Sequence, residues 1–96
     1  MKRDEIINIL SDHRREIDEF GVHSLSIFGS VARDENLPAS DVDILVEFSK
    51  PVGLFEFIRL KNFLEQLLKC PVDLVTPDAL KTKLREMILK EAISAA

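Results

Sequence analysis

The chain has neither tryptophan nor tyrosine, so six phenylalanines are its only aromatics and must build the core together with leucine and isoleucine. Its single cysteine, Cys70, excludes an intrachain disulfide. Close to Leu68 and Pro71, that thiol reads as a structural, buried group. A basic excess is also missing. Seventeen acidic residues face thirteen basic ones for a formal charge of -4, which gives no general attraction to a phosphate backbone and argues against direct nucleic-acid binding. No apolar run approaches membrane-spanning length, and Met1-Lys2-Arg3-Asp4-Glu5 lacks the character of a secretory leader, so the expected location is cytoplasmic, with no membrane partner. A P-loop lysine motif is absent too, which excludes a Walker-type ATPase.

What is present fits one small globular unit. At 96 residues, with 46% hydrophobic and 31% charged residues, the chain is expected to form a single domain over 1–96. At that length no separate substrate-binding domain is expected within it, and whatever the chain acts on is expected to be held largely by something else.

Residues 4–20 carry Ile6, Ile9, Leu10, Ile17 and Phe20 on one stripe, with His13 among them, which predicts an amphipathic helix ending before Gly21. Leu25-Ser26-Ile27-Phe28 reads as a strand stopped by Gly29, with a short helix over Ser30 to Asp34. After a loop to Ser40, Val42 to Phe48 is the strongest strand signal. Leu54 to Leu68 predicts a helix with a broad apolar face, buried on more than one side, with Arg59, Lys61, Glu65 and Gln66 left for solvent. Pro71 to Val75 is a third strand, Thr76-Pro77 a helix start, and Asp78 to Ser94 a last helix burying Leu80, Leu84, Met87 and Ile88. The basic residues of that helix, Lys81, Lys83, Arg85 and Lys90, read as a solvated face. The expected architecture is α/β (α+β), a mixed three-stranded sheet packed by about four helices.

Three aspartates sit in strand-like apolar segments: Asp41 and Asp43 within Ser40-Asp41-Val42-Asp43, and Asp73 within Val72-Asp73-Leu74-Val75. Carboxylates in such surroundings are costly unless compensated, and clustered carboxylates suit a divalent cation. Strand alternation puts Asp41 and Asp43 on one side and Val42, Ile44, Val46 and Phe48 on the other. If the Asp73 strand lies alongside, the third carboxylate joins them. Magnesium, or manganese in its place, relieves the repulsion and leaves coordination positions for phosphate oxygens, so a pair of ions is expected. Gly29 and Ser30 fit a phosphate cradle through a bare backbone and a hydroxyl, and Arg33, three residues on, adds a cation. Each residue also has a plainer role. An Asp-x-Asp caps turns, Asp73 guards an edge strand, and Arg33 pairs with Asp34 or Glu35 at the surface.

Phe28-Gly29-Ser30-Val31-Ala32-Arg33, Ser40-Asp41-Val42-Asp43-Ile44-Leu45-Val46 and Val72-Asp73-Leu74-Val75 together resemble the signature of the DNA polymerase beta-like nucleotidyltransferase superfamily. The resemblance covers nearly the whole chain, including Gly53-Leu54-Phe55-Glu56 and Thr76-Pro77-Asp78-Ala79-Leu80-Lys81, and is closest to the minimal nucleotidyltransferase (MNT) type. It implies that Gly29 and Ser30 bind nucleotide phosphates, that Asp41 and Asp43 bind two metals, and that Asp73 shares a metal and helps activate the acceptor hydroxyl. One departure is Asp34, where MNT-type sequences often carry glycine.

The implied activity is Mg²⁺-dependent transfer of AMP from ATP to a protein hydroxyl. In MNT antitoxins the acceptor is a tyrosine of a HEPN-type ribonuclease toxin, which makes such a toxin the expected partner. Two alternatives stand beside it: an antitoxin that masks its toxin without chemistry, and an adenylyltransferase of small molecules. A homo-oligomer is left open.

Overall fold

The computed structural model describes residues 2–33, 41–79 and 82–95. Asp34 and the loop to Ser40, with Leu80 and Lys81, lie outside them, as do the side chains of Lys83, Leu84, Arg85 and Met87.

The N-terminal stripe forms two helices rather than one, α1 (Arg3–Asp12) and α2 (Arg14–Glu19). His13 breaks the helix at φ -107° and ψ 20°, and its amide donates to the Leu10 carbonyl three residues back, at 3.2 Å. The tightened turn lets Ile6, Leu10 and Ile17 all reach the core.

Strand β1 (Val22–Phe28) starts three residues before the expected Leu25. Its pairing with β2 (Val42–Phe48) is irregular between Val22 and Ser24, where two residues of β1 oppose one of β2. That bulge shifts the alternation, so that Val22 and Leu25 both face the core although they are three positions apart. A four-residue helix, α3 (Gly29–Ala32), follows β1 directly.

Helix α4 (Leu54–Leu68) connects β2 to β3 (Val72–Val75), which pairs parallel to β2. A 3₁₀ turn (Pro77–Ala79), α5 (Thr82–Glu91) and β4 (Ile93–Ser94) complete the chain. The final helix is therefore shorter than expected. Its last residues leave the helix as β4 and pair antiparallel with β1, giving a four-stranded sheet in the order β3-β2-β1-β4. The exposed edge of β1 accounts for this, because its unpaired backbone groups gain partners from Ile93 and Ser94.

One sheet face carries the main core. Leu25, Ile27, Val42, Ile44, Val46, Val72 and Leu74 pack there against Ile6, Leu10 and Ile17 and against Leu60, Leu64 and Leu68 of α4. The opposite face holds a smaller cluster, Phe28, Leu45 and Ile88 with Val75 and Ala92, beneath α5. Helix α4 buries only one stripe. Leu54, Phe55 and Ile58 are 70%, 81% and 42% exposed, which corrects the expectation of burial on several sides. Among the described residues no helix is long and apolar enough to cross a membrane.

Candidate active site

The second sheet face ends in carboxylates. Asp43 pairs with Phe28 across β1 and lies in register with Asp73 on β3, so both aspartates stand on the face that carries Phe28, Leu45 and Val75. Asp41 precedes β2, where the Val42 amide donates to the Pro71 carbonyl at 3.0 Å and fastens the entry of β2 to that of β3. All three residues thus gather at one end of adjacent strands. They are less embedded than their apolar neighbours suggest, since Asp41 and Asp73 are exposed and Asp43 is half-buried. The strand ends leave them open to water.

Gly29 is fitted to Asp43. Its φ of +71° lies in the region that disfavours side chains, and a Cβ placed there would run into Asp43 Oδ2 and lie 3.1 Å from Asp43 Cγ. The bare backbone expected to admit a phosphate therefore first makes room for a carboxylate. Ser30 follows, half-buried, at the start of α3, and Val31 and Ala32 anchor that helix in the core. Arg3 Nη1 donates to the Ala32 carbonyl at 3.1 Å, which holds the far end of α3 against α1.

Two glutamates that the sequence does not single out reach the site. Glu91, at the end of α5, accepts the Gly29 amide on Oε1 and the Arg33 guanidinium on Oε2, each at 3.0 Å. Glu65, expected to face solvent, accepts the Val72 amide on Oε2 at 2.8 Å and so fixes the residue next to Asp73. Glu91 is 62 residues from Gly29, and no local pattern signals such a pairing.

Burial, followed by the charges of Asp73 and Asp41, pushes the Asp43 carboxyl above its ordinary range, with a smaller push from Glu91. Arg33 works in the opposite direction. Among the described residues no three potential ligands are drawn close enough to form a ready-made ion cage. The donor set nevertheless suits a hard divalent cation, being carboxylate oxygens on one open face that repel one another when ionised.

An open cleft of about 870 Å³ lies elsewhere, lined by Phe48, Lys50, Leu54, Phe57 and Pro77 among others. Phe48 and Asp43 are at opposite ends of β2, roughly 17 Å apart at the usual rise per residue. Among the described residues the carboxylates therefore lie outside that cleft, with Asp41 and Asp73 exposed.

The model of the nucleotidyltransferase domain family matches residues 4–95. Protein adenylyltransferase MntA of Thermococcus cleftensis is 43% identical over 91 residues, covering 94% of this chain and 92% of that protein. A Methanocaldococcus jannaschii protein assigned as a protein adenylyltransferase is 43% identical over 89 residues, covering 93% and 88%. A solved structure assigned as a minimal nucleotidyltransferase superposes with a TM-score of 0.84 at 36% identity, covering 97% of this chain and 95% of that one.

Two further structures share the fold. A toxin–antitoxin crystal structure with AMP-PNP has a TM-score of 0.70 at 22% identity, covering 100% of this chain and 73% of that one. A tri-AMPylated Shewanella oneidensis HEPN toxin in complex with an MNT antitoxin has a TM-score of 0.60 at 21% identity, covering 98% and 68%. With the family match running almost end to end and relatives above 40% identity over most of the chain, this protein belongs to the nucleotidyltransferase domain family.

Proposed function

We propose that the chain, acting as one domain over 1–96 in the cytoplasm, transfers AMP from ATP to a tyrosine hydroxyl of a HEPN-type toxin and is that toxin's antitoxin. The acceptor oxygen attacks the α-phosphorus while the bond to the departing pyrophosphate breaks. The observation that carries this reading is the registered pair Asp43 and Asp73, with Asp41 beside them and the Gly29 turn packed over Asp43. Two relatives carry the name protein adenylyltransferase, which points to a protein as acceptor. The exposure of Asp41 and Asp73 agrees, because a partner surface can close over them.

In this reading Asp41, Asp43 and Asp73 hold Mg²⁺, two ions in the full site, with Mn²⁺ as an alternative. When bound, the metal offsets the carboxylate repulsion and the negative charge of the phosphates and lowers the pKa of the acceptor hydroxyl. Asp73, at the exposed edge, faces the acceptor, orients its hydroxyl and takes up the proton that the hydroxyl loses as the new O–P bond forms. Gly29 offers its amide, Ser30 its hydroxyl and Arg33 its guanidinium to the triphosphate.

The test uses the purified chain with labelled ATP, Mg²⁺ and the cognate partner. Label is expected on the partner, and Asp41→Asn or Asp43→Asn should abolish it. Undiminished labelling by both variants would falsify the metal assignment.

A second reading, neutralisation by binding alone, is favoured by one observation: Glu91 holds the two groups intended for phosphate. Toxin neutralisation by Asp41→Asn in the absence of ATP would select it.

A further inference from the structure

Glu91 is placed as a ligand would be. Its two carboxylate oxygens take the Gly29 amide and the Arg33 guanidinium at 3.0 Å each, the geometry with which two oxygens of one phosphate group would meet the same donors. The glutamate side chain is only one-third exposed, and Arg33 about half. The backbone behind it is fixed. The Ala92 amide donates to the Ile88 carbonyl, Ile93 and Ser94 pair with β1, and the Ala95 amide donates to the Leu25 carbonyl at 2.9 Å. Glu91 can therefore leave by side-chain rotation toward solvent while α5 and β4 stay in place.

We propose that Glu91 is an internal stand-in for a nucleotide phosphate, closing the position formed by Gly29 and Arg33 until a triphosphate displaces it. The inference rests on the reading that these two residues receive the triphosphate. It assigns Glu91 as the residue that sets nucleotide affinity, with no direct part in the chemistry. A position occupied from within about nine-tenths of the time lowers apparent affinity about tenfold. Removing the carboxylate should recover that factor.

The experiment is calorimetric titration of the full chain with a non-hydrolysable ATP analogue and Mg²⁺, and separately with inorganic tripolyphosphate. Wild type, Glu91→Gln, Glu91→Ala and a control, Glu86→Gln, are compared. Glu86 is exposed on the same helix, so its variant removes equal charge elsewhere. Both Glu91 variants should bind each probe about tenfold tighter, with the control unchanged. Equal or weaker binding by the Glu91 variants would overturn the inference and make Glu91 a support of the cradle. An equal gain in the control would overturn it as well, since overall charge would then be the cause. Absence of binding by every protein, wild type included, would sink the nucleotide reading and this inference with it. A measurement on wild type alone guards against misfolded variants. The carboxyl carbon resonance of Glu91 should move to a solvent-exposed value as the analogue saturates, and a resonance that stays still while nucleotide binds overturns the displacement.

Discussion

At the residue scale the site is governed by how closely Gly29 and Asp43 approach. Gly29→Ala should cost about 1–2 kcal/mol through its left-handed backbone alone, and more through collision with the Asp43 carboxylate. Urea denaturation of Gly29→Ala with and without Asp43→Ala separates the two parts: the second substitution should restore the collision share and leave the backbone share. Asp43 also makes stability depend on pH. Its carboxyl binds a proton more tightly in the folded than in the unfolded chain, so stability falls as pH rises from the ordinary carboxylate value through the raised one. In the presence of a chelator, Asp43→Asn should melt above wild type at pH 7, and the advantage should vanish in acid, below the ordinary carboxylate value. A thermal scan across that range, showing no difference at neutral pH, would refute the repulsion.

At the element scale, α4 has one working stripe. Leu64 is fully buried, so Leu64→Ala should cost about 2–5 kcal/mol. Phe55, 81% exposed on the same helix, should tolerate Phe55→Ser within about 0.5 kcal/mol. Denaturant midpoints of the two variants check the asymmetry. The periodicity of residues 54–68 was legible as a helix, but which apolar residues face the sheet was not. A broad stripe looks alike whether a second element covers it or water does. The last strand was hidden for a related reason. Ile93 and Ser94 carry no strong strand signal, and their conformation is set by the free edge of β1, which is distant in sequence. The break at His13 was likewise invisible, since the stripe continues through it.

At the scale of the whole molecule, the exposed Asp41 and Asp73 lie at one end of the sheet, while the cleft lined by Phe48 and Phe57 lies at the other end of β2. A domain of this shape orients few substrate groups by itself, so transfer to free small hydroxyl compounds should run at least about a hundredfold slower than transfer to the partner protein. Labelled ATP with each acceptor measures the ratio, and comparable rates would favour the small-molecule reading.

The sequence by itself determined the strand and helix types around the site, because alternation and helical periodicity are local properties. It also determined the candidates Gly29, Ser30, Arg33, Asp41, Asp43 and Asp73, because each sits in a short motif that resembles those of a known family. Tertiary structure alone decided that Asp43 faces Asp73, that Gly29 leaves space for a carboxylate, and that Glu65 and Glu91 accept the backbone amides of Val72 and Gly29. Those contacts join segments brought together only when the sheet forms, and a hydrogen bond between residues 29 and 91 leaves no trace in either one's immediate neighbours.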